Sequence, residues 1–421
     1  MQSQTLEREI PYPSQLGGEK GIRDGNTTKH LDKLRQSRLY LATRYEAQSH
    51  AKATLIREAM RMLSGGESDK KYLGDVFRTI DCLSKRHTYF VKVKHHIEFG
   101  TASYSGLVTC GSVWACPLCA SKIQGRRRQE IEQVMSWHGE VNSGKAIMVT
   151  FTFPHIVFDN LRDLLSKQAK ALAFLRKGRA WDELKKEMGF TGLVRGLEVT
   201  HGLNGWHPHT HELWLVTSDI QTAKLKNRLI ELWRSACLRS GILTPGDDHW
   251  AFNLHSVDVR DNVSTGDYLA KQDDIRAWGL ADEIARGATK AGRAKGVHPH
   301  RFLTRRDPGD DRLYLEYVKG MKGKRQIFWS HGLKGKASIV DYTDEELAEL
   351  DQPGASVLAA IPAPAWRIIT GNDARFEVID AAENGGLPAI EELLRKLGCP
   401  AEHMPLNSDE YRNRWESLYE A

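Results

Sequence analysis

The sequence lacks long hydrophobic runs, a secretory leader and a dense set of cysteines. No stretch of about 18 apolar residues occurs among its 421 residues, so no segment is suited to span a membrane. The N-terminal stretch MQSQTLEREIPYPSQ is polar and charged, without the apolar core of a signal peptide. Six cysteines are too few for a disulfide scaffold in a chain of this length. We therefore expect a cytoplasmic protein.

Positive and negative charges are unevenly distributed along the chain. Residues 341–421 contain 17 acidic and 6 basic side chains, a local net charge of −11. Because the whole chain carries +6, the first 340 residues carry +17. A basic body with an acidic tail is typical of a protein that binds a polyanion.

Composition and motif content divide the chain into five predicted regions. They are a polar N-terminal region (1–75), a cysteine-rich module (76–135), a domain that contains the candidate catalytic residues (140–280), a basic extension (281–340) and an acidic region (341–421). The N-terminal region includes a predicted helix near 47–64. No internal repeat or low-complexity tract stands out.

The pattern over residues 145–260 predicts the element order β-α-β-β-α-β. Alternating or bounded apolar runs predict strands at AIMVTFTF, GLVRGLEVTH, WHPHTHELWLV and WAFNLHSVDV, and leucines at helical spacing predict helices near 161–175 and 225–236. A further short helix is expected from about Ser264. This order is typical of an α+β, ferredoxin-like (RRM-like) fold with an antiparallel sheet. Both crossover helices would cover one face and leave the other face free for a site.

Three histidines alternate along the third predicted strand. His207, His209 and His211 share one face, because successive side chains of a strand point to opposite sides. A hairpin about residues 202–205 would place Glu198 opposite His209 and Thr200 opposite His207. Two imidazoles and a carboxylate converging there indicate a divalent-metal site.

Alternatives to this metal site remain open. A register shift of one residue would turn Glu198 away from the histidines. His207 could be a ligand, a residue behind the ligands or a phosphate contact, and all three histidines could be ordinary surface residues of a strand.

The segment STGDYLAKQDD places Tyr268 and Lys271 on one face of a predicted helix. A tyrosine hydroxyl is a poor nucleophile until its pKa is lowered or its proton is removed. The Lys271 ammonium would favour the phenolate. A half-buried structural tyrosine is the alternative.

A cysteine cluster precedes the predicted domain. Cys110, Cys116 and Cys119 have the spacing C-x5-C-x2-C, and a closed tetrahedral Zn²⁺ site needs a fourth ligand. We expect Cys82 to be that ligand, with His87, His95 and His96 as substitutes. Three reduced, buried cysteines without metal are the alternative.

Basic and aromatic residues suggest contacts to nucleic acid. Residues 281–340 contain 14 Lys/Arg and 6 Asp/Glu interleaved with aromatic side chains, and we expect Arg325 and Trp329 to contact DNA. Arg126, Arg127 and Arg128 follow the cysteines and could contact phosphates. A solvated surface is the alternative. The His298 and His300 pair in VHPHRF lacks a partner carboxylate and is interpreted as a decoy.

The segments IMVTFTFPH, GWHPHTHELWLV and DYLAKQ resemble motifs 1, 2 and 3 of the HUH endonucleases. More closely, they resemble the rolling-circle replication initiator (Rep) proteins of bacterial plasmids, over about residues 80–340. The resemblance implies that His209 and His211 hold Mg²⁺ or Mn²⁺ and that Tyr268 attacks the origin strand, leaving a 3′-OH and a 5′-phosphotyrosyl linkage. It also makes Asp267 a candidate for activating water at termination. Thr210 departs from the bulky hydrophobic residue usual between the two histidines.

The resemblance further implies the partners. They are DNA, as a plasmid double-strand origin with a single-stranded nick site, together with a host helicase and polymerase, in the bacterial cytoplasm and away from membranes. An HUH transposase or relaxase would share the chemistry. No Gly-x4-Gly-Lys-Ser/Thr loop occurs, so the chain is not itself a helicase. A non-enzymatic, metal-containing DNA-binding regulator is the alternative from another class.

Overall fold

The computed structural model describes residues 25–65, 70–246, 249–261, 296–351 and 354–413. The predicted helix from about Ser264, with Asp267, Tyr268 and Lys271, lies outside the described residues. Within them the protein is a mixed α+β structure with two antiparallel sheets. No helix in these ranges combines the length and apolar character needed to cross a bilayer.

The described residues contain nine strands and fourteen α-helices. The strands are β1 Phe90–His96, β2 Thr101–Ser105, β3 Lys145–Phe151, β4 Gly192–Gly202, β5 Gly205–Val216, β6 Val257–Arg260, β7 Ile327–Trp329, β8 Ser356–Pro362 and β9 Leu406–Asn407. The helices are α1 Gly25–Ser64, α2 Lys70–Asp81, α3 Pro117–Asn142, α4 Leu161–Leu175, α5 Arg179–Met188, α6 Thr222–Ser240, α7 Trp250–His255, α8 Phe302–Arg305, α9 Asp310–Met321, α10 Leu333–Lys336, α11 Asp344–Glu349, α12 Ala363–Gly371, α13 Arg375–Lys396 and α14 Ser408–Tyr411.

A five-stranded sheet in the order β6-β3-β5-β4-β7 forms the centre of the protein. Helices α4 and α6 cover one face of it, as their leucine spacing predicts. The Asn160 side chain caps α4 by accepting from the Arg162 and Asp163 N–H groups, and Gly241 ends α6 in the left-handed conformation. The apolar stripes of both helices bury Phe151 and Trp214 of the sheet.

The prediction of a strand through Trp250–Val259 is wrong in its first half. Residues Trp250–His255 form helix α7, and only Val257–Arg260 pairs with β3. Phe252 and Ser256 are buried while the residues between them are exposed. Burial at a spacing of four residues is a helical period, which explains why these residues form a helix rather than a strand.

The opposite face of the sheet is only half open, contrary to expectation. Ile131 and Val134 of α3, together with Leu333, pack on Met148 and Leu213. Met148 and Leu213 occupy positions on the face that was expected to be free, and their apolar side chains are the reason that α3 covers this half. The three strand histidines lie on the remaining half.

The second sheet joins distant parts of the chain. Its order is β2-β1-β8-β9, so residues 90–105 pair with residues 356–407. Helices α12 and α13 cover it through Trp366, Val378 and Leu394. Strands from two predicted regions, 76–135 and 341–421, therefore share one sheet.

Helix α1 is longer than the predicted 47–64. Its buried stripe recurs every three or four residues and packs against α2 and α3. The stripe consists of Ala47, Ala51, Leu55, Ala59 and Met62.

Candidate functional site

The β4–β5 hairpin brings Glu198, His209 and His211 together. Its register pairs Glu198 with His209 and Thr200 with His207, as predicted, and Gly205 closes the turn at a φ of 82°. The Glu198 Oε2 atom lies 3.0 Å from His209 Nε2 and 3.2 Å from His211 Nε2. One ligand atom from each residue lies within 4.8 Å of the other two, so the three can hold one ion.

The remaining ring nitrogens of these histidines have contacts of their own. Thr150 Oγ1 on β3 lies 2.9 Å from His211 Nδ1, and the His207 carbonyl oxygen lies 3.3 Å from His209 Nδ1. These contacts orient both rings so that Nε2 faces the carboxylate. Burial opposes ionisation of Glu198, but His209 and His211 outweigh it and hold the pKa of this carboxyl well below its usual range.

His207 lies beside this group and outside it. Its Nδ1 is 2.8 Å from Nε2 of His155, whose Nδ1 donates to the Asn204 carbonyl at 2.9 Å. Burial, with His209 and His155 nearby, lowers the pKa of His207 to about 3, so the ring is neutral. Sequence reasoning missed His155, although it ends the motif IMVTFTFPH, because only folding brings it to the hairpin.

The segment with His298 and His300 returns to the edge of the site. Val297 forms a backbone bridge with His201 of β4, and the His300 N–H donates to His298 Nδ1 at 3.2 Å. His300 Nε2 lies 2.7 Å from the Trp114 carbonyl oxygen. Burial lowers the pKa of His298, with His300 contributing and Glu198 opposing. Neither histidine belongs to a potential metal-ligand group among the described residues.

The other face of β5 contains a buried carboxylate. Pro208, Thr210 and Glu212 point away from the histidines, as predicted, and are buried. Arg176 donates to both oxygens of Glu212, and Trp214 Nε1 donates at 2.8 Å. Thr210, which departs from the usual hydrophobic residue, is therefore a core residue.

Cys82, Cys110, Cys116 and Cys119 form a second, fully buried group. The Cys82 sulfur lies 3.8 Å from that of Cys116 and 3.5 Å from that of Cys119, and Cys110 and Cys119 are 3.6 Å apart. Sulfurs at about 2.3 Å from a tetrahedral Zn²⁺ lie about 3.8 Å from one another. The structure thus places Cys82, rather than His87, His95 or His96, with the other three.

Polar residues of α1 surround the cysteine group. Gln48 Nε2 lies 3.3 Å from Cys116 Sγ, Lys52 donates to the Cys82 carbonyl, and Arg375 donates to Gln48 Oε1 at 2.7 Å. Burial, reinforced by Arg375, lowers the pKa of Lys52 to about 8. In the sequence, the only signal that Gln48 and Lys52 contact the cysteine group is their position beside the apolar stripe of α1.

The predicted DNA-contacting residues differ in their surroundings. Arg127 is 12% exposed and pairs with Glu130 and Asp344. Arg126 donates to the Asp351 carbonyl, and Arg128 pairs with Glu132. Arg325 is exposed. Arg325 and Trp329 line a cleft of about 950 Å³, with Arg78, Lys322 and Lys334 among the other lining residues.

The comparisons with known proteins agree with the resemblance found in the motifs. The sequence model of the replication protein family Rep_1 matches residues 107–356, more than half of the chain. This chain belongs to the Rep_1 family. The matched range includes the histidine hairpin and three of the four clustered cysteines.

Two relatives of this Rep_1 protein come from Streptomyces. The chain is 28% identical over 374 residues to the protein named Protein rep of Streptomyces lividans, covering 71% of this chain and 81% of that protein. It is 30% identical over 175 residues to a protein named Neomycin resistance protein of Streptomyces cyanogenus, covering 35% and 37%. No solved structure matches the chain.

Proposed function

We propose that this Rep_1 protein is a plasmid rolling-circle replication initiator that nicks and rejoins one DNA strand through a phosphotyrosyl intermediate. The convergence of Glu198, His209 and His211 carries the proposal. Two imidazole nitrogens and one carboxylate oxygen leave coordination positions for phosphate and water, which suits Mg²⁺ or Mn²⁺. Such an ion would offset the charge that develops on the scissile phosphate.

The strand order supports a ferredoxin-like HUH domain. Strands β6, β3, β5 and β4 are antiparallel neighbours, with the helices of both β-α-β connections on one face. The histidines lie on the opposite face, where this fold would present a nicking site.

Chain length is compatible with Tyr268 as the nucleophile. Asp258, Thr150 and His211 form one row across β6, β3 and β5, so Asp258 and His211 are about 10 Å apart. Tyr268 follows ten residues after Asp258, and an extended chain of that length spans at most about 36 Å. The phenol can therefore reach a phosphate bound at the histidines.

The proposed reaction is a transesterification. The Tyr268 oxygen forms a bond to the scissile phosphorus as the bond to the 3′-oxygen breaks. The phenol loses its proton, the 3′-oxygen gains one, and the 5′-phosphate remains on the tyrosine. Lys271 would favour the phenolate, and Asp267 would activate water at termination. Because the phosphodiester energy is kept in the tyrosyl linkage, rejoining needs no ATP.

The other features fit the same role. The cysteine group would hold a structural Zn²⁺, and Arg325 and Trp329 would contact DNA in the cleft beside it. The origin would supply both the duplex and the single-stranded nick site, and host helicase and polymerase would extend the 3′-OH in the bacterial cytoplasm. Relaxases tend to carry a third histidine in this motif. Here His207 pairs with His155 and lies outside the ligand group, so we favour an initiator over a relaxase.

Adduct formation tests the proposal. The protein is incubated with Mn²⁺ and labelled single strands that tile the DNA around its gene, and SDS-stable complexes are measured. Wild type should form an adduct that Tyr268→Phe and the His209→Ala/His211→Ala variant lose. Tyr89→Phe, at a tyrosine that is 42% exposed next to the second sheet, is the matched control and should keep it. An adduct that survives Tyr268→Phe would contradict the assigned nucleophile.

A further inference from the structure

Four large apolar side chains are exposed together beside the histidine hairpin. Phe158 is 90% exposed and Leu203 is 84% exposed, and Ile156 and Val157 are more than half exposed. We call these four residues the rim patch. Full exposure of a phenylalanine costs hydrophobic free energy, so a contiguous patch of this kind indicates a binding surface.

The two loops that carry the rim patch are packed against each other. A Cβ atom at Gly205 would lie 2.9 Å from Val157 Cα, so the 156–157 backbone runs directly along the hairpin turn. His155 Nδ1 donates to the Asn204 carbonyl at 2.9 Å, and the Ile156 N–H donates to Asp159 at 2.8 Å. The patch is therefore presented on a fixed backbone.

Ring contacts run from the proposed metal site to His155, which adjoins the rim patch. The ring centroids of His209 and His207 are 4.9 Å apart, and those of His207 and His155 are 4.8 Å apart. Phe158 follows His155 by three residues. A strand whose phosphate lay at the proposed metal site could extend along these rings towards the rim patch.

We propose that the rim patch binds unstacked bases of single-stranded DNA next to the scissile phosphate, with Phe158 as the stacking platform. This inference rests on the proposed function. Bases removed from the stack expose apolar faces of any sequence, and aromatic side chains are their usual partners. Continuity with the metal site favours DNA over a protein partner, because a strand bound at that site can extend along this edge.

Binding to two oligonucleotides tests the inference. The probes are oligodeoxythymidine of about 20 nucleotides, longer than a typical single-strand site, and an abasic strand of equal length with the same phosphates. Phe158→Ala and Leu203→Ala in the full chain should weaken oligodeoxythymidine binding about tenfold and leave abasic binding unchanged. Phe158→Trp keeps an aromatic side chain and should bind oligodeoxythymidine about as tightly as wild type. Ile97→Ala removes an apolar side chain that is 80% exposed in the β1–β2 turn and should change neither affinity.

The outcomes separate this inference from the nicking proposal. If Phe158→Ala and Leu203→Ala lose affinity equally for both probes, or lose none for either, the proposed role of the rim patch is overturned. The same holds if Phe158→Ala converts a dimer into a monomer in light scattering, because the patch would then bind a second copy. Adduct formation by wild type is measured in parallel. Its failure would contradict the nicking proposal without affecting the base-dependent difference between variants.

Discussion

Thr150 of β3 and His211 of β5 face each other in the central sheet, and the threonine hydroxyl oxygen lies 2.9 Å from His211 Nδ1. This contact fixes the ring so that its other nitrogen faces Glu198. A residue in the first of the three motif segments thus orients a histidine in the second.

Thr150→Val should weaken Mn²⁺ binding. Valine has nearly the same shape but cannot hydrogen-bond to His211 Nδ1, and loss of a contact behind a metal ligand typically costs about 10- to 100-fold in affinity. Isothermal titration with Mn²⁺ measures the change. Thr150→Ser keeps the hydroxyl and should stay close to wild type, so equal affinities of the valine and serine variants would contradict the role of this contact.

Cys82→Ser should release zinc from the cysteine group. Three thiolates cannot close the tetrahedral site, and a structural zinc ion contributes directly to folding. We expect zinc content, measured by atomic absorption, to fall from about one ion per chain towards none, with a lower Tm. Cys237→Ser removes a buried thiol outside the group and should retain the zinc. Full zinc content in Cys82→Ser would exclude Cys82 as a ligand.

Glu212→Gln should destabilise the protein strongly. The Glu212 side chain is fully buried and is held by Arg176 and Trp214, and breaking a buried ion pair typically costs about 3–5 kcal/mol. Urea unfolding measures the change in the free energy of unfolding. Glu183→Gln, at a surface pair with Arg179, should cost less than about 1 kcal/mol. Similar losses in free energy of unfolding in the two variants would show that the buried ion pair stabilises the protein no more than the exposed one.

Local pattern was sufficient to predict the hairpin that carries Glu198, His209 and His211. The turn at 202–205 is short, and the alternation of histidines with Pro208, Thr210 and Glu212 fixes which residues share a face. With strand pairing of period two, these features predict the contact of Glu198 with His209 in one register, and the structure has that register.

Contacts between distant segments could not be predicted in this way. The pairing of β1 with β8 joins residues more than 250 positions apart, and nothing local in either strand specifies the partner. Gln48 contacts Cys116 only because α1 packs on α3. His155 contacts His207 only because the loop that contains His155 packs along the turn of the hairpin. The prediction of a strand through Trp250 was wrong because a helix of six residues is too short to show a helical period in the sequence.

Glu58→Gln should remove part of the sensitivity of the protein to acid. Arg61 and Lys319 hydrogen-bond to Glu58 and lower the pKa of its carboxyl from the ordinary 4.5 to about 2, with burial opposing. Because the folded pKa is depressed, the stabilisation is present above about pH 4.5 and is lost as the pH falls towards 2. The difference in free energy of unfolding between wild type and Glu58→Gln should therefore be larger at pH 6 than at about pH 3, as measured by urea unfolding. Lys319→Met, which removes one partner, should show a smaller dependence on pH than wild type. If the difference in free energy of unfolding between wild type and Glu58→Gln is equal at both pH values, the charge of this carboxylate does not stabilise the contact between α1 and α9.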